Sequence, residues 1–225
     1  MRPALFLVII GLGGAAILMA LGVWQVQRLA WKEAVIERIN SRIAAAPIPL
    51  PDDPDPVADA YLPVEISGTY AGDTLRVLVS QKDIGAGYRL ITALESDAGR
   101  VLIDRGFVAV DDTDIATPTI PVTVQGNLQW PQETDSYTPE PDRDGNVWFA
   151  RDVPLMAEAL GTRPILIVAS AVSQDDPAVA PFPVDTSRIP NDHLQYAVTW
   201  FSLAAIWVAM SVFFIMRRRA PRPES

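Results

Sequence analysis

The chain has 225 residues, with 18 Lys and Arg against 27 Asp and Glu, one histidine and no cysteine. That acidic balance is the wrong sign for a phosphate-bearing partner, so nucleic-acid binding is excluded. The lack of cysteine excludes disulfides and covalent haem attachment through C-x-x-C-H. With a single histidine it also leaves no set of protein ligands for zinc or for a thiolate copper site.

Two stretches carry no charge at all: ALFLVIIGLGGAAILMALGV, residues 4 to 23, and YAVTWFSLAAIWVAMSVFFIM, residues 196 to 216. About 20 helical residues cross about 30 Å of hydrocarbon, so both qualify as membrane spans. No proline falls between Pro3 and Pro47 or between Pro190 and Pro221, so each helix can run unbroken. We read residues 4 to 23 as a transmembrane helix rather than a cleaved signal peptide. The run exceeds the roughly 7–15 apolar residues of a signal peptide, and no A-x-A-like site closes it. Small residues crowd it (Gly11, Gly13, Gly14, Ala15, Ala16, Ala20), and Gly11 and Ala15 form a small-xxx-small pair. The second span offers Ala197, Ser202, Ala204, Ala205 and Ala209, so the two spans are expected to pack together.

Residues 24 to 46, WQVQRLAWKEAVIERINSRIAAA, continue the helical pattern as an extension out of the membrane. Trp24, Arg28, Trp31 and Val35 recur at helical spacing, as do Leu29, Ile36 and Ile39. Two readings stand: an aromatic belt at the membrane–water interface followed by an ordinary amphipathic helix, or part of a docking surface.

Residues 47 to 190 form the middle domain. Pro47, Pro49, Pro51, Pro54 and Pro56 make a stiff extended spacer. Alternating, β-branched runs then follow: LPVEISGTY, DTLRVLVSQ, GYRLITALE, GRVLIDRGFVAV, IPVTVQGNLQW and RPILIVASAV, with NVWFA as a further candidate strand. PQETDSYTPEPDRDGN, residues 131 to 146, reads as a polar loop. DVPLMAEALG reads as a short helix with Asp152 as N-cap, Pro154 in the first turn and Gly161 past the end. The fold class expected is two transmembrane α-helices flanking one mainly-β (α+β) extracytoplasmic domain. The second helix spans residues 194 to 216, and a basic tail occupies residues 217 to 225.

Orientation rests on that tail. Arg217, Arg218, Arg219 and Arg222 follow the second span and mark its end as cytoplasmic by the positive-inside rule. Two spans then put both termini in the cytoplasm. Arg28, Lys32, Arg38 and Arg42, after the first span, argue the opposite way. Residues 43 to 187 carry 23 acidic and 8 basic side chains, a net of −15, and long acidic segments translocate readily. The middle domain is therefore expected outside the cytoplasm, which in a bacterium is the periplasmic face of the inner membrane.

No catalytic constellation is visible, so the chain reads as a non-enzyme. There is no P-loop, GLGG at residues 11 to 14 lies inside a span, and no G-x-S-x-G elbow exists for a hydrolase that would have to use the single histidine. The abundant carboxylates cluster in loops such as PDDPDP, where solvation accounts for them. That leaves His193 in NDHLQYAVTWF, at the mouth of the second span, where Asn191 or Asp192 can cap the helix. An interfacial polar residue near a helix start is one reading of it. The other is an axial ligand, since neutral imidazole binds haem iron.

LGVWQVQRLAWKEAVI, IDRGFVAV, NVWFARDVPLMA and NDHLQYAVTWFSLA, in that order, resemble the signature blocks of the surfeit locus protein 1 family, assembly factors for cytochrome c oxidase. The resemblance covers nearly the whole chain and includes the two-span layout. Ala93 and Ala109 depart from it, standing where the family often has proline. The resemblance implies a chaperone that binds haem a and assists its insertion into the oxidase catalytic subunit, with His193 as the haem-iron ligand. Haem a synthase is a further candidate partner, and membrane lipid surrounds the spans. The alternative is a membrane scaffold that stabilises an oxidase-subunit intermediate and binds no cofactor.

Overall fold

The computed structural model describes residues 3–81, 85–112, 115–174, 176–187 and 189–219. The basic tail from residue 220 onward, with Arg222, lies outside the described residues. The chain divides into two compact units, one formed by its two ends and one by residues 39–185.

The first unit consists of two helices, α1 (Pro3–Ile43) and α3 (His193–Arg219). The short helix of the middle domain, Val153–Leu160, is α2. Glycine decides how α1 and α3 pair. A Cβ on Gly14 would lie 2.5 Å from the Trp207 ring, one on Gly22 would lie 2.5 Å from Phe201, and one on Gly11 would lie 3.1 Å from Ser211. Partner numbers fall on α3 as they rise on α1, so the helices run antiparallel. The Trp207 indole Nε1 donates to the Gly11 carbonyl at 3.0 Å. In lipid, where apolar burial contributes little, such close backbone approach and interhelical hydrogen bonding hold helices together.

Outside this seam the helices expose what a soluble protein would bury, including Leu5, Phe6, Leu12, Ile17, Phe213 and Phe214. Their most apolar windows reach mean hydropathies of 2.5 and 2.1, yet only 11% and 6% of those windows are buried within the protein. Surfaces this apolar and this uncovered are those of membrane helices, not of a soluble core. The 41 residues of α1 extend about 60 Å, roughly twice the hydrocarbon thickness. The helix stops at Ile43 rather than residue 46, because the residue before Pro47 is disfavoured in helical conformation.

The second unit is built on seven strands: β1 (Ile48–Pro49), β2 (Pro63–Gln81), β3 (Gly85–Ser96), β4 (Gly99–Ala109), β5 (Pro121–Gln129), β6 (Val147–Trp148) and β7 (Leu166–Val172). Five of them close on one another in the order β2, β3, β4, β7, β5 and back to β2. All these pairings are antiparallel except β4 with β7. Closure removes the exposed edges that invite aggregation. β1 and β6 add short parallel pairings to β2.

Alternation along the strands sorts the apolar residues into two large cores, beside a smaller cluster of Leu90, Val108 and Val179. Val64, Ile66, Leu94, Val101, Ile103, Val124 and Ile167 fill one side of the sheet. Ile91, Ala93, Leu102, Leu166 and Val168 point to the other, where α2 covers them with Val153, Met156, Ala157 and Leu160. Those four helix positions recur at helical spacing, and the caps are the expected ones. Asp152 accepts from the Leu155 amide at 3.0 Å, Pro154 stands in the first turn, and Gly161 ends the helix at φ 63°, ψ 44°.

Two expectations about the strands change. LPVEISGTY and DTLRVLVSQ are one strand, not two. The apparent break at Gly72 and Asp73 is a bulge between Ala71 and Thr74, with Gly72 at φ 77°, so pairing with β3 resumes beyond it. NVWFA contributes only Val147 and Trp148 to the sheet.

Candidate functional site

The single histidine is the first residue of α3. His193, Ala197, Trp200, Ala204, Trp207 and Ser211 are spaced three or four apart and make one stripe. Ala197 and Ala204 are buried to 2% and 3% exposure, and Trp207 and Ser211 meet the glycines of α1, so this stripe is the seam between the helices. His193 therefore stands at the open end of that seam. Its ring Nδ1 lies 2.8 Å from the Gln25 side-chain oxygen Oε1. Gln25 is itself only 8% exposed, which is unusual for an uncharged polar side chain on an otherwise apolar helix pair. Among the described residues the other ring nitrogen, Nε2, has no hydrogen-bond partner.

The expected side-chain cap is not formed. The first helical bond runs from the Tyr196 amide to the Asp192 carbonyl at 3.2 Å, while Asn191 Oδ1 is buried without a partner. Tyr196, one turn on, is 54% exposed and Trp200 is half-buried. The site thus has an imidazole held at one nitrogen, an uncommitted nitrogen, and aromatic and aliphatic side chains in the following two turns. An imidazole nitrogen is a ligand type for haem iron. Gln25 carried no recognisable signal in the sequence. Its position on α1 becomes meaningful only once α1 and α3 are known to run antiparallel with Gly22 opposite Phe201.

A second gathering of ionisable groups lies in the β unit. Asp104 is fully buried and accepts from Arg89 Nε at 2.5 Å, with Arg151 Nη1 at 3.7 Å. Arg151 in turn grips Glu133, with its Nη2 2.5 Å from Oε1 and its backbone amide 2.9 Å from Oε2. Arg89 also donates to the Phe182 carbonyl and lies over the Phe182 ring at 4.2 Å. Burial pushes the Asp104 carboxyl above its ordinary value, with Arg89 and Arg151 pulling the other way. Burial also opposes charge on Glu133, but the Arg151 pair outweighs it and holds that carboxyl below its ordinary value. Two cations face two anions, and Glu133 and Arg151 also line a depression of about 390 Å³ with Tyr61 and Trp130. These residues tie β3 and β4 to the segments carrying Glu133, Arg151 and Phe182.

A mainly-β unit inserted in the chain order between two apolar, antiparallel helices, with one histidine at the end of their seam, is the layout of a two-span membrane protein. A model of the SURF1 family matches residues 12–205. The chain is 33% identical to a SURF1-like protein of Drosophila melanogaster, over 82% of this chain and 69% of that protein. It is 30% identical to surfeit locus protein 1 of Homo sapiens, over 82% and 69%. It is also 30% identical to a SURF1-like protein of Rickettsia bellii, over 86% and 84%. The chain belongs to the SURF1 family.

Proposed function

We propose that this chain is an assembly factor for haem–copper cytochrome c oxidase, not an enzyme, and that it holds haem a through His193 before the catalytic subunit receives it. The observation carrying this reading is the imidazole at the end of the α1–α3 seam, anchored at Nδ1 by Gln25, with no hydrogen-bond partner at Nε2 among the described residues. Bound there, haem a would take one axial nitrogen from His193. With one histidine in the chain, a second ligand would be absent or come from water or a partner. A single axial ligand suits a carrier, whose cargo must leave. The membrane-facing walls of the two helices suit the apolar part of such a cargo, and the arginine-rich tail supports a periplasmic side of a bacterial inner membrane for the acidic β unit. The oxidase catalytic subunit is the receiving partner, and haem a synthase is the candidate donor.

The test is His193→Ala in the full-length protein purified from cells that make haem a. The carrier reading predicts that pigment is lost while association with the oxidase subunit persists. Full pigment content in the variant removes His193 from the site. A wild-type protein that never carries pigment yet binds the subunit replaces the carrier with a scaffold.

A further inference from the structure

We infer that Gln25 is a positioning residue for His193, fixing its neutral ring as the tautomer protonated at Nδ1 and so presenting the Nε2 lone pair to a ligand. This deepens the haem-ligand reading above and rests on it for its purpose, but not for its geometry.

The argument starts from what each atom is able to do. The Gln25 amide is oriented with its oxygen towards the ring, and in that orientation it only accepts. At 2.8 Å the contact is a hydrogen bond, so Nδ1 supplies the proton. A neutral imidazole holds one proton, and placing it on Nδ1 leaves Nε2 as the acceptor. Left to itself in water a histidine side chain favours the other tautomer, with the proton on Nε2. Gln25 therefore opposes the intrinsic preference of the ring and exposes the nitrogen that points away from its own backbone.

Burial makes the bond matter. Gln25 is 8% exposed, and water has little access with which to replace the histidine as its partner. An amide oxygen left unsatisfied in such a place is costly, which stabilises the bonded rotamer on both sides. Gly22 lies one turn before Gln25 and accommodates Phe201 where any side chain would collide. The close approach of the helices at Gly22 sets the distance over which the glutamine reaches. An imidazole that donates its second N–H to a fixed acceptor is the usual arrangement of a metal-binding histidine, since the acceptor sets ring orientation and raises basicity.

Because the chain holds one histidine, ring-¹⁵N labelling reports a single imidazole. The experiment uses the full-length protein, haem-free, in nanodiscs at alkaline pH, and reads the two ring nitrogens by NMR. The wild type is expected to be protonated at Nδ1. Gln25→Glu, which keeps an acceptor, is expected to retain that tautomer, and Gln25→Leu to revert to Nε2 protonation. In haem-loaded protein Gln25→Leu is expected to weaken retention by roughly 10- to 100-fold, with Gln25→Glu restoring it. A wild-type ring protonated at Nε2 overturns the inference, as does a folded Gln25→Leu protein with an unchanged tautomer. If Gln25→Leu does not fold, the wild-type and Gln25→Glu spectra decide. Should the tautomer shift as expected while His193→Ala keeps its pigment, the haem-ligand reading fails and the Gln25 geometry stands.

Discussion

At the scale of single residues, the β unit depends on a charge that cannot be left alone. Asp104 has no exposed surface and holds Arg89, itself 5% exposed, at 2.5 Å. Removing one member of a buried pair leaves the other charge uncompensated, which costs about 3–5 kcal/mol. Asp104→Asn is therefore expected to lower the unfolding free energy of the β unit by about that amount. Chemical denaturation followed by tryptophan fluorescence checks it, and a change under 1 kcal/mol or so would refute the pairing as a structural element. None of this network was legible in the sequence. IDRGFVAV and NVWFARD stood out as blocks, but the pairing of Asp104 with Arg89 follows from the register of β3 on β4, which no spacing rule reveals. His193 was legible because it is unique and stands where polar sequence turns apolar. Gln25, 168 positions away, was not.

At the scale of elements, the α1–α3 seam depends on the absence of side chains. Gly14 meets the Trp207 ring and Gly22 meets Phe201 at distances no Cβ tolerates. Gly14→Leu is expected to push the helices apart and break the Trp207–Gly11 hydrogen bond. The readout is Trp207 fluorescence in nanodiscs, in a background with the other tryptophans replaced by phenylalanine. A shifted emission is expected, and an unchanged one would show that the helices do not pack through Gly14. The sequence pointed to small residues on both spans but favoured Gly11 with Ala15. The pairing glycines are Gly11, Gly14 and Gly22, because the bulky partners on α3 dictate which positions must be bare. Of the strands, the sequence separated two halves of β2 at Gly72. A positive-φ glycine between two alternating runs signals either a turn or a bulge, and only pairing with β3 distinguishes them. The caps of α2 were fully legible because capping is local chemistry: Asp152, Pro154 and Gly161 act within one turn of themselves.

At the scale of the whole molecule, the layout of two spans around a β unit followed from hydropathy and proline placement, while the closed order of the barrel did not, since closure is a long-range property. Orientation rests on the arginine-rich tail, and the cysteine-free chain makes it directly measurable. Tyr137, 90% exposed in the polar loop, and Ser225 in the tail each accept a single cysteine. A membrane-impermeant maleimide added to cells with a permeabilised outer membrane is expected to label Tyr137→Cys and spare Ser225→Cys, and the reverse pattern would invert the protein. The central claim is that an iron sits on the lone imidazole at the end of the seam. Protein purified from cells that make haem a and grown on ring-¹⁵N histidine tests it by resonance Raman. The iron–nitrogen stretch should shift with the label. A pigment whose iron–ligand bands ignore the isotope would contradict the account.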